Sequence, residues 1–229
     1  MATNDNYEFV KKEITSTQDK CCLVLVLDVS GSMAGAPINE LNDGIKVLFE
    51  DIKEDNVASQ RLEIGIVTFD SNVKVVREPE NIWSNTNVPH FTAGSSTAMV
   101  DGLREGIKIV RAAKEYYKST NQGYYRPWVI LITDGAPDSG QDINGISSEI
   151  KAAVNASEFW FFAVGVENAD MNLLQQISAQ MSPLKLSGLK FSIFFKWLSK
   201  SMGGIAKSSK EAKINLADGM EGWTDFTVS

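Results

Sequence analysis

The chain contains few of the residues that carry redox and nucleophilic chemistry. Its 229 residues include only two cysteines and one histidine. The cysteines, Cys21 and Cys22, are adjacent, and neighbouring residues of a strand point to opposite faces, so they are not expected to form a disulfide. We interpret them as small apolar strand residues of a protein in a reducing compartment.

Positive charge and long apolar runs are also scarce. The net charge of −7 argues against a nucleic-acid-binding protein and against docking on anionic lipid. The first residues, MATNDNYEFVKKE, are polar, unlike a secretory leader. No apolar run approaches the roughly 20 residues that span a bilayer. These absences predict a cytoplasmic protein.

Shorter apolar runs alternate with segments of helical spacing. The run CCLVLVLD (21–28) is continuous, as expected for a strand buried on both faces of a sheet, and helical spacing follows in 37–55. The alternation continues with predicted strands at 61–69, 73–78, 128–134, 159–166 and 183–187 and predicted helices at 96–119, 143–157, 171–181 and 191–202. This order predicts an α/β fold: a doubly wound, mostly parallel sheet with one antiparallel edge strand, 73–78, and helices on both faces.

The domain organisation follows from what separates these elements. No low-complexity linker and no internal repeat interrupts them, which favours one domain. We predict an N-terminal extension at 1–19, the domain at 20–202, and a C-terminal segment at 203–229 that packs on the same domain.

Two of the apolar strands end in an aspartate, Asp28 and Asp134. Parallel strands place their C-terminal ends at one edge of the sheet, so the two carboxylates meet there if their strands are neighbours. Ser30 and Ser32 follow Asp28 on a loop with a glycine between them, and Thr97 stands where another loop enters a helix. We expect these five side chains at one rim.

Two carboxylates and three hydroxyls form an all-oxygen ligand set. Mg²⁺ prefers oxygen ligands, about six in a near-octahedral array. Neutral hydroxyls and water leave the cation electron-poor, with room for an outside anion. Taken singly, each of the five residues is more often a helix cap or a turn residue, so the metal interpretation depends on their combination and order. Asp138 either adds charge near this site or shapes the turn after Pro137.

The sequence DVSGSM, the threonine of GSSTAM and the aspartate of LITDG resemble the metal-ion-dependent adhesion site of von Willebrand factor A domains. The shared pattern is a DxSxS loop, then a distant threonine, then a distant aspartate. The resemblance covers about residues 20–202. Within that family, SGSMAGAPINELNDGI and YYRPWVILITDGAPD look most like the bacterial tellurium-resistance TerY-like group.

The resemblance implies a Mg²⁺ site, with Mn²⁺ or Ca²⁺ as possible substitutes. Ser30, Ser32 and Thr97 would be hydroxyl ligands, Asp28 and Asp134 would act directly or through water, and the sixth position would take a carboxylate from a partner protein. It therefore implies a bacterial protein-interaction module, not an enzyme, with a role in the response to tellurite or other stresses.

Two other functions stay open on the sequence alone. A Mg²⁺-dependent phosphohydrolase would use Asp28 as its nucleophile, but such enzymes generally need a second acid two residues later, where this chain has Ser30. No histidine or lysine stands at a motif position to act as general base. The other alternative is a structural domain whose metal serves stability alone.

Overall fold

The six strands of the computed structural model, which describes residues 18–135, 137–179, 181–186 and 190–207, form one sheet. Its strand order is β3-β2-β1-β4-β5-β6. The strands are β1 (Cys21–Asp28), β2 (Leu62–Phe69), β3 (Val73–Asn81), β4 (Trp128–Thr133), β5 (Trp160–Val166) and β6 (Leu184–Leu186). Every neighbouring pair is parallel except β2 and β3, which confirms the predicted sheet with one antiparallel edge.

Helices cover both faces of the sheet, as predicted. They are α1 (Ala36–Glu54), α2 (Ala58–Arg61), α3 (Met99–Ser119), α4 (Ile143–Asn155), α5 (Met171–Ile177) and α6 (Phe191–Lys207), with a 3₁₀ turn at Gly31–Met33. Residues of α1 and α6 share one apolar core with one face of the sheet, and residues of α3, α4 and α5 share a second core with the other face.

The continuous apolar sequence of β1 reflects its place between these two cores. Leu25 belongs to the core of α1 and α6, and its neighbour Val24 belongs to the core of α3, α4 and α5. Each buried side chain of this size contributes about 1.5–3 kcal/mol relative to an exposed one. The two cysteines are likewise buried, one in each core, and no disulfide joins them.

Several boundaries differ from the predicted ones for identifiable reasons. The helix predicted at 191–202 continues to Lys207 through two glycines, because Ile205 is buried in the core beyond them. Strand β3 runs on to Asn81 through Pro79, which an edge strand tolerates, and the β2–β3 pairing shifts register beside it. Residues 1–17 of the predicted extension and 208–229 of the predicted C-terminal segment lie outside the described residues.

The strand order reverses between β1 and β4, which makes this position the topological switch point of the sheet. Strand β2, the sequence neighbour of β1, lies on one side of it and β4 lies on the other, with Leu27 of β1 paired to Ile132 of β4. In open α/β sheets, ligands bind in the crevice at the C-terminal ends of such strands. The expectation that the strands ending near Asp28 and Asp134 are neighbours is confirmed.

The contact between α1 and α6 depends on Gly44. A methyl group at this position would lie 2.5 Å from Cδ2 of Phe195 and 3.0 Å from Cβ of Phe191. We expect Gly44→Ala to lower the free energy of unfolding by about 1–3 kcal/mol, although alanine is the better helix former, because the two helices must move apart. Urea unfolding followed by circular dichroism measures this change.

Gly204→Ala in α6 is the matched control, because a methyl group there meets no atom within 4 Å. It should stabilise the protein by about 0.5–1 kcal/mol through helix propensity alone. Equal stability of the two variants would contradict the close helix contact.

Candidate metal centre

The loop that leaves β1 folds back over its own carboxylate. The backbone N–H of Ser30 donates a hydrogen bond of 2.8 Å to Oδ1 of Asp28, and the 3₁₀ turn Gly31–Met33 follows at once. Asp28 and Ser30 are buried, at 0% and 1% exposure, whereas Ser32 on the turn is exposed. The loop therefore has a buried inner side and an accessible outer side.

Hydrogen bonds join this loop to the end of β4 in a closed ring. The hydroxyls of Ser30 and Ser32 lie 3.0 Å apart, and the Ser32 hydroxyl donates to Oδ1 of Asp134 at 2.7 Å. The ring closes through Thr133, whose hydroxyl donates to Oδ2 of Asp28 at 2.5 Å. Four of the five predicted ligands are thus brought together at the predicted rim.

Thr133 is a site residue that sequence reasoning missed. Its side chain is fully buried, and its hydroxyl both donates to Asp28 and accepts the N–H of Gly135 at 3.2 Å. The available signal was a hydroxyl residue at the last position of an otherwise apolar strand, directly before Asp134. The hydroxyl of a buried threonine needs a hydrogen-bond partner, and the polar groups at the rim can supply one.

The loop that carries Thr97 is attached to the same rim through its backbone. The N–H of Gly31 donates to the carbonyl of Ser95 at 2.9 Å, and the N–H of Gly94 donates to the carbonyl of Val29 at 2.8 Å. Ser95 has a positive φ of 51°, which few residues other than glycine adopt and which turns its carbonyl toward Gly31. Thr97 itself is buried, at 8% exposure, and its role as the fifth ligand stays a prediction.

Asp138 contacts the backbone of that loop. Its Oδ2 accepts the N–H of Thr97 at 3.0 Å, and its own N–H donates to the carbonyl of Thr97 at 3.2 Å. The amide of Gln141 donates to the same carbonyl at 2.5 Å. The loop after β4 therefore holds Thr97 as well as carrying Asp134.

Both carboxylates of the ring have raised pKa values. Burial raises the pKa of Asp28, and the charge of Asp134 raises it further, whereas hydrogen bonds from Ser30 and Thr133 oppose the shift. Burial also raises the pKa of Asp134, against the hydrogen bond from Ser32. Among the described residues, no lysine, arginine or histidine lies within ion-pairing distance of either carboxylate.

The donor set fits a hard divalent cation. It consists of carboxylate and hydroxyl oxygens, the ligands that Mg²⁺ prefers, around two acids that have no other positive partner in the described part of the chain. No group of three or more histidine, cysteine, aspartate or glutamate side chains gathers anywhere in the described ranges, so this two-acid, hydroxyl-rich rim differs from a zinc site or a carboxylate cage.

A doubly wound α/β domain with an oxygen-lined rim at its switch point is the class of protein that the fold and the site define. The sequence profile of the von Willebrand factor type A domain matches residues 23–187, and the chain belongs to that family. The family is one of protein-interaction and adhesion modules. The described helices include none that is long and apolar enough to cross a membrane.

Related sequences match this domain as part of longer proteins. Inter-alpha-trypsin inhibitor heavy chain H3 of Mus musculus is 27% identical over 161 residues, which cover 69% of this chain and 18% of the relative. An uncharacterized protein of Synechocystis is 26% identical over 146 residues, which cover 60% of this chain and 31% of the relative. The matched region thus spans less than a third of either relative.

Solved structures share the fold at low sequence identity. The pilus adhesin SpaC of Lactobacillus rhamnosus GG matches with a TM-score of 0.64 at 16% identity, over 82% of this chain and 31% of that one. The vWF domain of the type V pili tip protein Mfa5 of Porphyromonas gingivalis matches with a TM-score of 0.58 at 11% identity, over 86% of this chain and 99% of that one. These similarities support the fold alone.

The raised pKa of Asp28 predicts how the metal-free protein responds to pH. A carboxyl group with a raised folded-state pKa destabilises the fold when ionised. That penalty is absent below the unfolded pKa of about 3.9, grows as pH rises toward the folded-state pKa, and is constant above it. In chelator at about pH 7, Asp28→Asn should therefore unfold at higher urea concentration than the wild type, and its advantage should shrink as pH falls toward about 4.

Glu54→Gln provides the control for this comparison, because it removes an exposed carboxylate from the C-terminal end of α1, whereas the loop after Asp28 precedes the N-terminal end of that helix. Its stability relative to the wild type should change little over the same pH range. If Asp28→Asn is less stable than the wild type at neutral pH in chelator, the ionised carboxylate is not a burden to the fold and the prediction is wrong.

Proposed function

We propose that this chain is a metal-dependent protein-interaction module. It binds one Mg²⁺ through Asp28, Ser30, Ser32, Thr97 and Asp134, and it uses an open position on the cation to bind a carboxylate of a partner protein. The observation that carries the proposal is the hydrogen-bonded ring at the β1–β4 rim, which gathers two carboxylates and three hydroxyls without a positive side chain from the described residues.

The two sides of the ring differ in exposure and therefore in their proposed roles. On the inner side, Asp28 is buried and held by the N–H of Ser30 and the hydroxyl of Thr133, so its position is fixed before any ligand arrives. On the outer side, Ser32 is exposed and Asp134 is partly exposed, so a partner approaches from there. When bound, the cation supplies a Lewis-acidic point for a partner's carboxylate oxygen.

Family membership supports an interaction module in preference to an enzyme. The von Willebrand factor type A family is one of interaction and adhesion modules, and SpaC is a pilus adhesin by name. The residues around the ring supply ligands and hydrogen bonds, and none of the five proposed ligands is a general base of the histidine or lysine kind. Mg²⁺-dependent turnover of an aryl phosphate that Asp28→Asn abolishes would contradict this part of the proposal.

A place in the cytoplasm and in the bacterial response to tellurite is a narrower proposal, which rests on the resemblance to the TerY-like group. Direct thiol chemistry on tellurite is not part of it, because both cysteines are buried and burial, with the nearby charge of Glu63, raises the pKa of Cys21 to about 12. Loss of the chain should sensitise its host to tellurite. Re-expression of the wild type should restore resistance, and a variant lacking the Ser32 hydroxyl should not.

Thr97→Val tests the metal site, because it keeps the shape of the side chain and removes only the hydroxyl. We expect it to weaken Mg²⁺ or Mn²⁺ binding about tenfold or more, which corresponds to ~1.4 kcal/mol or more. Isothermal titration calorimetry measures the affinity. The rise in Tm at saturating Mg²⁺, which reports the same binding through its linkage to folding, should shrink in parallel.

Ser96→Ala is the matched control, since it removes an exposed hydroxyl from the adjacent position outside the proposed ligand set. It should bind Mg²⁺ as the wild type does. A Thr97→Val variant with unchanged affinity would exclude Thr97 as a ligand, and a wild type that binds no divalent cation would overturn the proposed function.

The metal dependence of partner binding is tested by capture from a lysate of the host. Protein bound in Mg²⁺ should be released by a chelator, and Ser32→Ala should fail to retain it, because the cation and its ligands bridge the two proteins. Ser96→Ala should retain it. Partners that stay bound in chelator would indicate an interface that does not use the metal.

A further inference from the structure

We infer that Asp138 and Gln141, on the loop after β4, are positioning residues that set the place of Thr97 relative to Asp134. This inference rests on the proposed function, because it concerns the geometry of the same site. Neither residue belongs to the proposed ligand set, and both act through hydrogen bonds to the backbone around Thr97.

The contacts form a clamp on one peptide segment. The Asp138 carboxylate accepts the N–H of Thr97 at 3.0 Å, while the N–H of Asp138 at 3.2 Å and the Gln141 amide at 2.5 Å both donate to the Thr97 carbonyl. Both polar groups of the Thr97 backbone are therefore satisfied by the β4–α4 loop. The same loop begins with Asp134, so the clamp connects two proposed ligands from different elements.

The start of α3 explains why the clamp is needed. The first N–H groups of a helix lack partners within the helix, and a side chain at the N-cap normally accepts one of them. The N-cap here is Ala98, which has no such side chain, and Oε1 of Gln141 accepts the N–H of Val100 at 2.8 Å instead. The β4–α4 loop thus caps a helix that is remote in sequence, and Thr97 lies directly before that cap.

This arrangement matters for a cation because Mg²⁺ requires near-ideal octahedral geometry. Residues that orient metal ligands typically change affinity by about 10–100-fold when they are removed. Position, not charge, is the expected contribution of Asp138. Its side chain is exposed, so water and salt screen its charge, whereas its hydrogen bond to Thr97 is local.

The experiment compares Asp138→Asn, which keeps an acceptor for the Thr97 N–H, with Asp138→Ala, which removes it, and with Gln141→Met, which keeps volume and removes both contacts. Mn²⁺ affinity is measured by electron paramagnetic resonance. Hydrogen exchange of the Thr97 and Val100 amides is measured by nuclear magnetic resonance in the metal-free protein. Asp142→Ala is the control, because it removes a neighbouring carboxylate that caps α4 through Gly145 and has no contact with Thr97 among its hydrogen bonds.

We expect Asp138→Ala and Gln141→Met to weaken Mn²⁺ binding about tenfold or more and to speed exchange at Thr97 and Val100 respectively. Asp138→Asn should stay within about threefold of the wild type, and Asp142→Ala should lower Tm while leaving the affinity within about twofold.

Two results overturn the inference alone: Asp138→Asn binding Mn²⁺ as poorly as Asp138→Ala, which would make the charge decisive, or wild-type affinity in Asp138→Ala and Gln141→Met. A wild type that binds no Mn²⁺ but shows the expected exchange pattern would overturn the proposed function, and with it the positioning role, while leaving the clamp as a structural contact.

Discussion

The parallel pairing of β1 with β4 is the constraint on which the rest of the site depends. It sets the end of one strand beside the end of the other at the switch point of the sheet, with Leu27 opposite Ile132. Both strands are buried on two faces, so a slip of their register would carry apolar side chains into the wrong core. Close packing in the two cores therefore fixes the relative position of Asp28 and Asp134.

Hydroxyls between the two carboxylates resolve an electrostatic conflict at this rim. A third carboxylate in place of Ser30 or Ser32 would add like charge beside two acids whose pKa values are already raised. A serine hydroxyl donates a hydrogen bond to a carboxylate and still has lone pairs available for a cation. The hydroxyls thus satisfy the two acids, which no cationic side chain of the described residues meets, and their remaining lone pairs suit a cation.

The sequence predicts those parts of the fold and site that depend on periodicity and on strand ends. The strand ends predict that Asp28 and Asp134 lie together, because parallel strands share a C-terminal edge, and the spacing of the two serines places them on the same loop. Gln141 leaves no local pattern, because its partners belong to the backbone of a remote loop. Thr133 leaves a local signal, a hydroxyl at the end of an apolar strand, but that signal does not identify its partner, a carboxylate on another strand. The continuation of α6 past its two glycines was missed because core burial of Ile205 outweighed local helix propensity.

The proposed ligands come from three loops, and the hydrogen bonds that fix those loops also complete ordinary secondary structure. Gln141 caps α3, and the carbonyl of Ser95, turned by a positive φ, holds the turn at Gly31. Each contact stabilises the domain whether or not a ligand is present, so the rim is ordered by folding and not by binding. A preformed rim would lose little conformational entropy on binding the proposed cation and partner, which would let a small patch of oxygen atoms support a specific contact. Because hydrogen bonds join the three loops, a change in any one of them alters the geometry of the others. The proposed site should therefore be sensitive to residues that do not contact the ligand.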